Sequence, residues 1–335
     1  MKKLTAVILS LLLVLALAAC NQPSPVPNIP HDDDEPAVET RILALKGPTG
    51  IGMAKLMDDA AKDSLMNLEF TVAAQPTEAV AAVSGGKVDI AAVPTNLAAT
   101  LYKKTEKGIK MIAINTLGSL YILENGNTIN SFADLRGKTI YATGKGANPE
   151  YVLNYLLEKN GLTVGEDVFV DYTYGTEHAQ LATALAAGEC AIAMLPEPNV
   201  SSAMAQNKEL RIALNLNEEW DKVADESSRL TMGCVIVRNE FLEEHPEAVK
   251  AFIEKLDSSI KFATENPKDA GALCETYGIV PKAALATKAI PNCNMMLIKG
   301  ADMKPAIEGY FTVLHTANPK SVGGAVPDEG FYYIP

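Results

Sequence analysis

Short apolar runs alternate with amphipathic segments along most of this chain. Residues 42–45, 88–93 and 191–195 are nearly continuous apolar runs with the length of a buried strand. Elsewhere, apolar residues recur three and four positions apart, as on one face of a helix; the clearest sets are Met53, Leu56, Met57 and Ala60, and Val249, Phe252, Ile253, Leu256 and Ile260. Strands that alternate with helices predict an α/β fold of open sheets with crossover helices.

Part of this pattern occurs twice, at an offset of 102 positions. Residues 84–96 are echoed by residues 186–198, so that Gly86 matches Gly188 and Pro94 matches Pro196 without a gap. A second pair of segments, residues 41–52 and 138–149, each runs from a strand into a glycine-rich turn that opens a helix. The repeats predict two α/β lobes of one plan with a ligand cleft between them.

The chain is predicted to cross between these lobes twice. We assign residues 41–120 and 236–335 to lobe 1 and residues 121–235 to an inserted lobe 2, with the apolar strand 230–237 as the return crossing. Two crossings form a hinge that can bend while each lobe stays folded.

The first forty residues have the composition of a targeting segment and a linker. Residues 1–19 are predicted to be a signal peptide: Lys2 and Lys3 precede an apolar run that is too short to span a membrane. Leu17-Ala18-Ala19-Cys20 resembles the lipobox of bacterial lipoproteins, in which the cysteine carries the lipid; an ordinary signal peptide followed by chance by cysteine is the alternative. Residues 20–40 are proline-rich and acidic, which favours a disordered tether.

Charge and cysteine spacing exclude several classes of protein. The formal net charge of −12 argues against nucleic-acid binding, which needs a basic surface. The spacing of the cysteines contains no C-x-x-C motif, so a zinc knuckle or thioredoxin-like site is excluded. Cys190 is interpreted as a core residue, whereas Cys274 and Cys293 are either free or joined in a disulfide.

The two glycine-rich turns are candidate ligand contacts. They contribute Lys46, Thr49 and Gly50 from the first copy, and Gly144, Ala147 and Asn148 from the second. Backbone N–H groups at a helix start lack intrahelical partners, and the helix dipole there favours anionic or acceptor groups. The alternative is that these residues only cap their own helices.

The ends of the repeated strands and the first crossing provide the remaining candidates. In open α/β sheets, ligands bind beyond the carboxyl ends of the strands. We therefore expect ligand contacts from Thr95 and Asn96, from Glu197 and Pro198, and from Gly118, Ser119 and Tyr121 at the crossing. Glu197 would accept a hydrogen bond from an amine or ring N–H, with an exposed carboxylate in a turn as the alternative. Gly118 would leave room for the ligand. Tyr151 is either a stacking surface or a core residue.

No catalytic or metal-binding pattern is present in the sequence. Gly-x-Ser-x-Gly is absent, and the four histidines have no spacing that suggests partners; His178 is interpreted as a surface residue. We therefore predict no cofactor, no metal site and no enzymatic activity.

The combined motifs resemble a known family of transport proteins. The lipobox, residues 45–50, residues 86–94, Leu135-Arg-Gly-Lys-Thr139 and the helix after His245-Pro246 are similar to extracytoplasmic solute-binding lipoproteins of ABC importers, in the branch that binds nitrate, sulfonate, taurine and thiamine precursors. The resemblance implies a type II periplasmic-binding-protein fold, a small-molecule ligand, a membrane permease and a cytoplasmic ATPase. It also implies a monomer anchored by lipid on Cys20 to the outer face of the cell membrane.

The resemblance leaves the ligand and the role open. Helix N-termini with Lys46 or Lys145 favour a sulfonate or carboxylate, whereas Glu197 with Tyr121 or Tyr151 favours an aminopyrimidine or another heteroaromatic. A sensing or adhesive lipoprotein of the same fold is the alternative function. One relative in the branch is an enzyme that uses iron and a cysteine-rich motif, but this sequence has no cysteine cluster.

Overall fold

Two β-sheets organise the protein, which a computed structural model describes over residues 38–335. The predicted signal peptide, Cys20 and the tether as far as residue 37 lie outside the described residues. The strands are β1 (Thr40–Leu45), β2 (Leu68–Ala73), β3 (Ile90–Pro94), β4 (Ile109–Leu117), β5 (Leu120–Asn125), β6 (Thr139–Tyr141), β7 (Phe169–Asp171), β8 (Ile192–Pro196), β9 (Leu210–Asn215), β10 (Thr231–Arg238) and β11 (Met295–Ile298). The six-stranded sheet has the order β11-β4-β10-β3-β1-β2, and the five-stranded sheet has the order β7-β6-β8-β5-β9.

The sequence repeat corresponds to a repeat in sheet topology. Strand β3 pairs in parallel with β1 and antiparallel with β10. Its copy β8 pairs in parallel with β6 and antiparallel with β5. Both repeated strands begin at an isoleucine and end at a proline, and their first four residues are buried, as expected for strands covered on both faces. The predicted α/β fold with two similar lobes is confirmed.

Helices cover both sheets. They are α1 (Pro48–Ile51), α2 (Ala54–Lys62), α3 (Pro76–Ser84), α4 (Thr95–Lys104), α5 (Asn148–Lys159), α6 (His178–Ala187), α7 (Asn199–Gln206), α8 (Leu216–Val223), α9 (Asn239–Glu244), α10 (Pro246–Glu265), α11 (Pro267–Thr276), α12 (Ala283–Ala289) and α13 (Met303–Ala317). Short 3₁₀ turns lie at Ser64–Met66, Phe132–Leu135, Ile290–Asn292, Gly300–Asp302, Pro319–Val322 and Glu329–Phe331. None of the helices within residues 38–335 combines the length and apolar character needed to cross a membrane.

The first crossing between the sheets is short, whereas the return passes through α8. Strand β4 of the six-stranded sheet is followed by β5 of the five-stranded sheet after only Gly118 and Ser119. On the return, β9 lies in the five-stranded sheet and β10 lies wholly in the six-stranded sheet, paired on both sides. Because a boundary at 235/236 falls inside β10, we propose that lobe 2 ends between β9 and β10.

The C-terminal helix packs against both lobes. Helix α13 contacts α5 beside the five-stranded sheet and β10 of the six-stranded sheet. Trp220 of α8 is fully buried and lies 4.8 Å from the Tyr155 ring and 5.7 Å from the Tyr310 ring, measured between centroids. Such aromatic contacts add to the stabilisation from area burial. One apolar cluster therefore includes residues of both sheets.

Candidate functional site

The two predicted groups of ligand contacts meet between the lobes. Asn96 lies in the first turn of α4, directly after β3, and Asn148 begins α5 in the other lobe. The Nδ2 of Asn148 donates to the Oδ1 of Asn96 at 2.9 Å. The hydroxyl of Thr95, which is fully buried, donates to the backbone oxygen of Thr231 at 2.7 Å and so fixes the start of α4 to β10.

Asn148 retains an acceptor without a donor. Its side chain is 7% exposed, and no described residue donates a hydrogen bond to its Oδ1. Leaving such a group buried and unpaired costs about 1–3 kcal/mol. The asparagine pair thus offers one buried acceptor, the Oδ1 of Asn148, to a third group.

The turn before α5 is held in place by Tyr151. The tyrosine hydroxyl donates to the backbone oxygen of Gly146 at 2.8 Å and accepts from the Nδ2 of Asn318 at 2.8 Å. Gly144 adopts φ +82°, and a Cβ there would lie 3.0 Å from the Cγ of Pro149, so glycine is required. Ala147 is exposed at the end of this turn. Tyr151 is itself 7% exposed, which favours its alternative role as a buried residue over ring stacking.

The first glycine turn is shaped by close backbone contacts. A Cβ on Gly50 would lie 2.2 Å from the backbone oxygen of Leu45, so this glycine is explained by packing. The backbone oxygen of Thr49 accepts from the Nδ2 of Asn115 at 3.0 Å. Lys46 is exposed at the end of β1. The turn is therefore closely packed, with the exposed Lys46 at its edge.

The space expected beside Gly118 is filled by protein. A Cβ on Gly118 would lie 2.6 Å from the Cδ2 of Leu230 and 3.0 Å from the Asn217 side chain. The Oδ1 of Asn217 also accepts from the Gly118 N–H at 3.1 Å. Ser119 is 4% exposed, with its N–H directed at the sulfur of Met232. The glycine leaves room for packing at the crossing, which corrects the expectation that it leaves room for a ligand.

Glu197 and Tyr121 are buried and already paired. The Glu197 carboxylate accepts from the N–H and the hydroxyl of Ser201 and from the Nδ2 of Asn292. Burial raises the pKa of Glu197, and these hydrogen bonds oppose part of that increase. The Tyr121 hydroxyl donates to the backbone oxygen of Asn292 at 2.6 Å. Pro198, joined to Glu197 by a cis peptide bond, is partly buried at the start of α7.

A family model described as NMT1/THI5 like matches residues 62–270, which is more than half of the chain. The chain belongs to the NMT1/THI5-like family. The branch predicted from the sequence is thereby confirmed.

The chain is also similar to solved structures and to curated proteins. An ABC transporter structure from Parabacteroides distasonis is 25% identical, with a TM-score of 0.75 over 89% of this chain and 99% of that chain. The periplasmic aliphatic sulphonate binding protein SsuA from Escherichia coli is 17% identical, with a TM-score of 0.69 over 89% of this chain and 93% of that chain, and it supports the fold alone. A Brucella abortus protein, named only as a candidate binding protein, is 28% identical over 184 residues, 54% of this chain and 53% of that protein. The chain thus spans about half the length of the curated relatives that it matches.

In this NMT1/THI5-like protein, His178 lies beside the site, although the sequence alone indicates a surface residue. His178 begins α6 and is partly buried, and its Nδ1 is hydrogen-bonded to the hydroxyl of Thr143, the residue before Gly144. Burial lowers the pKa of its imidazole, and Glu177 opposes this shift. The repeat offset indicates only that a helix begins at position 178, because this position corresponds to Pro76, where α3 begins; it carries no signal for the contact with Thr143. Asn292 has no such signal, since it lies outside the repeats.

Metal-binding clusters and disulfides are not found in the part of the chain that the structure describes. No group of three or more His, Cys, Asp or Glu side chains within residues 38–335 is arranged to hold a metal ion. The cysteines Cys190, Cys234, Cys274 and Cys293 are free and buried. Cys274 and Cys293 are therefore two thiols in the core.

Proposed function

We propose that this protein is the extracytoplasmic substrate-binding component of an ABC importer, and that it encloses a small polar solute between its lobes. The observation that carries the proposal is the contact between Asn96 and Asn148, which come from opposite lobes and leave the buried Oδ1 of Asn148 without a donor. A solute that donates to this oxygen would remove the cost of an unpaired buried acceptor, and it would do so only when the lobes are together.

The rest of the candidate site fits a role in binding. The turn from Gly144 to Asn148, together with Thr95 and Asn96, forms the proposed pocket, and His178 with Thr143 is added to it. We propose that Glu197 and Tyr121 hold the two lobes together and do not contact the solute, because both side chains already form hydrogen bonds with Asn292. The Parabacteroides structure is named as that of an ABC transporter, which supports a role in transport. By analogy with the name of the Escherichia coli protein, whose fold is shared, we propose a sulfonate-like or similarly small ligand.

The proposed partners follow from this role. A membrane permease would receive the solute, and a cytoplasmic ATPase would drive its transport. We further propose that lipid on Cys20 holds the monomeric protein at the outer face of the membrane. Labelling with a radioactive fatty acid tests the anchor, because a Cys20→Ser variant should lose both the label and its association with membranes.

A thermal-shift screen tests the binding function directly. The panel contains alkanesulfonates, aminosulfonates, aromatic acids, aminopyrimidines and nucleobases, each at millimolar concentration. A solute present at 100 times its Kd stabilises the folded protein by about 2.7 kcal/mol, which raises the Tm by several degrees. Uptake of the identified solute by cells with and without the gene then tests transport. Binding without any change in uptake would refute the importer role.

A further inference from the structure

Asn292 forms hydrogen bonds to lobe 2 through both its side-chain amide and its backbone oxygen. Its Nδ2 donates to the Oε1 of Glu197 at 2.9 Å, and its backbone oxygen accepts from the hydroxyl of Tyr121 at 2.6 Å. Glu197 directly follows β8 and Tyr121 lies in β5, so both lie in the lobe that contains the five-stranded sheet. Two directional bonds therefore converge on a single residue.

The segment that contains Asn292 belongs to the first lobe. It ends the 3₁₀ turn Ile290–Asn292, just before β11 of the six-stranded sheet. Ile290 and Cys293 are buried in the apolar cluster that contains the inner face of α10. The next residue, Asn294, accepts from the Leu117 N–H through its backbone oxygen, and its Nδ2 donates to the backbone oxygen of Gly118. The segment is thus fixed to the end of β4 and to the first crossing.

The Glu197 carboxylate is buried and forms most of its possible hydrogen bonds with Ser201 and Asn292. It is 2% exposed, and it accepts from the Ser201 N–H at 3.1 Å, the Ser201 hydroxyl at 2.9 Å and the Asn292 amide. A carboxylate has about four acceptor positions, so three are occupied. No Lys, Arg or His forms an ion pair with it among the described residues. A buried carboxylate paired only with neutral donors depends strongly on each donor.

We propose that Glu197 is a positioning residue that fastens the two lobes together through Asn292, with Tyr121 as the second contact. A movement of the lobes that carries Asn292 away from β5 and from the end of β8 would break both bonds to Asn292 and expose the carboxylate to water. The contact itself is independent of any ligand, whereas its purpose, to stabilise the form that encloses a solute, rests on the proposed function.

Exchanging the donor and the acceptor in the hydrogen bond between Asn292 and Glu197 tests this proposal. Glu197→Gln keeps the shape and replaces one acceptor by a donor. Asn292→Asp places a second carboxylate against Glu197, so the contact should be lost. In the double variant, the amide introduced at position 197 can donate to the carboxylate introduced at position 292. Asn154→Asp, on the exposed face of α5, is the matched control for the change of charge.

Hydrogen exchange followed by mass spectrometry on the full chain, without ligand, is the readout. In Asn292→Asp, peptides covering residues 197–206 and 290–295 should exchange about tenfold faster than in the wild type, and the double variant should return to within about threefold. Exchange in residues 40–45 should stay unchanged in every variant, which separates loss of this contact from global unfolding.

The outcomes separate this proposal from the proposed function. If the double variant exchanges as fast as Asn292→Asp, or if Asn292→Asp behaves like its control, Glu197 does not fasten the lobes through Asn292. If the polarity swap restores protection but the thermal-shift panel finds no ligand, the contact between the lobes stands and the binding function fails.

Discussion

The unpaired oxygen of Asn148 predicts which solutes the protein prefers. Its Oδ1 is buried and has no donor among the described residues, so a solute with a correctly placed N–H or O–H gains about 1–3 kcal/mol over a matched solute without one. That difference corresponds to a ratio of about 5- to 150-fold in Kd. Asn148→Leu has a similar size but no polar atoms, so the variant should bind both solutes weakly and with nearly equal affinity.

Isothermal titration with matched pairs measures this ratio. Suitable pairs are 2-aminoethanesulfonate with ethanesulfonate, and 4-aminopyrimidine with pyrimidine. Asn154→Leu, an exposed position on the same helix, is the control and should keep the ratio of the wild type. Equal affinity of the wild type for both members of each pair that binds would refute the reasoning. A preference that survives in Asn148→Leu would show that another residue accepts the hydrogen bond.

Three further perturbations test the fold and the site. Burial alone would raise the pKa of Glu124, but hydrogen bonds from Thr128, Ile129 and Arg211 lower it overall. The ionised Glu124 therefore stabilises the fold above the unfolded pKa of about 4.3, and this stabilisation is lost as the pH falls through the lower folded pKa. Glu124→Gln should flatten this dependence of the unfolding free energy on pH, measured by urea unfolding between pH 3 and 6. Gly118→Ala should destabilise the protein by about 1–3 kcal/mol in urea unfolding, because its methyl group would overlap the Leu230 side chain, and a smaller residue at 230 should recover part of the loss. Tyr151→Phe removes both hydrogen bonds of the tyrosine hydroxyl, to the Gly146 oxygen and from the Asn318 amide, and should weaken solute binding by about 2- to 10-fold through faster dissociation in stopped-flow measurements.

The two sheets were predictable because their signal is local. Each repeated strand is an apolar run bounded by glycine and proline, and the offset of 102 residues places Ile90 and Ile192 at the same position in the two copies. The same local signals marked Asn96, after β3, and Asn148, at a helix start in the other lobe, as candidate contacts on the predicted cleft. The hydrogen bond between them was not predicted, because the two residues follow strands of different sheets and their separation depends on how the lobes pack.

Gly118 shows where such reasoning stops. A glycine at a crossing indicates a close approach, but the sequence does not tell which group approaches. Leu230 and Asn217 fill the space, and both lie in the return segment more than 90 positions later. Packing partners separated by such distances are set by the tertiary fold, and a single sequence carries no local signal for them.

Glu197 illustrates the same limit for a functional role. The strand end and the flanking prolines predicted a carboxylate beside the cleft, and the structure does place it between the lobes. Whether that carboxylate faces a solute or the other lobe depends on Asn292, which is 95 positions away and outside the repeats. Because a buried carboxylate is stable only where donors reach it, the donor decides its role. In this chain the donors are protein groups, so we propose that the recognition of a solute falls on the asparagine pair, whose remaining acceptor has no protein donor among residues 38–335.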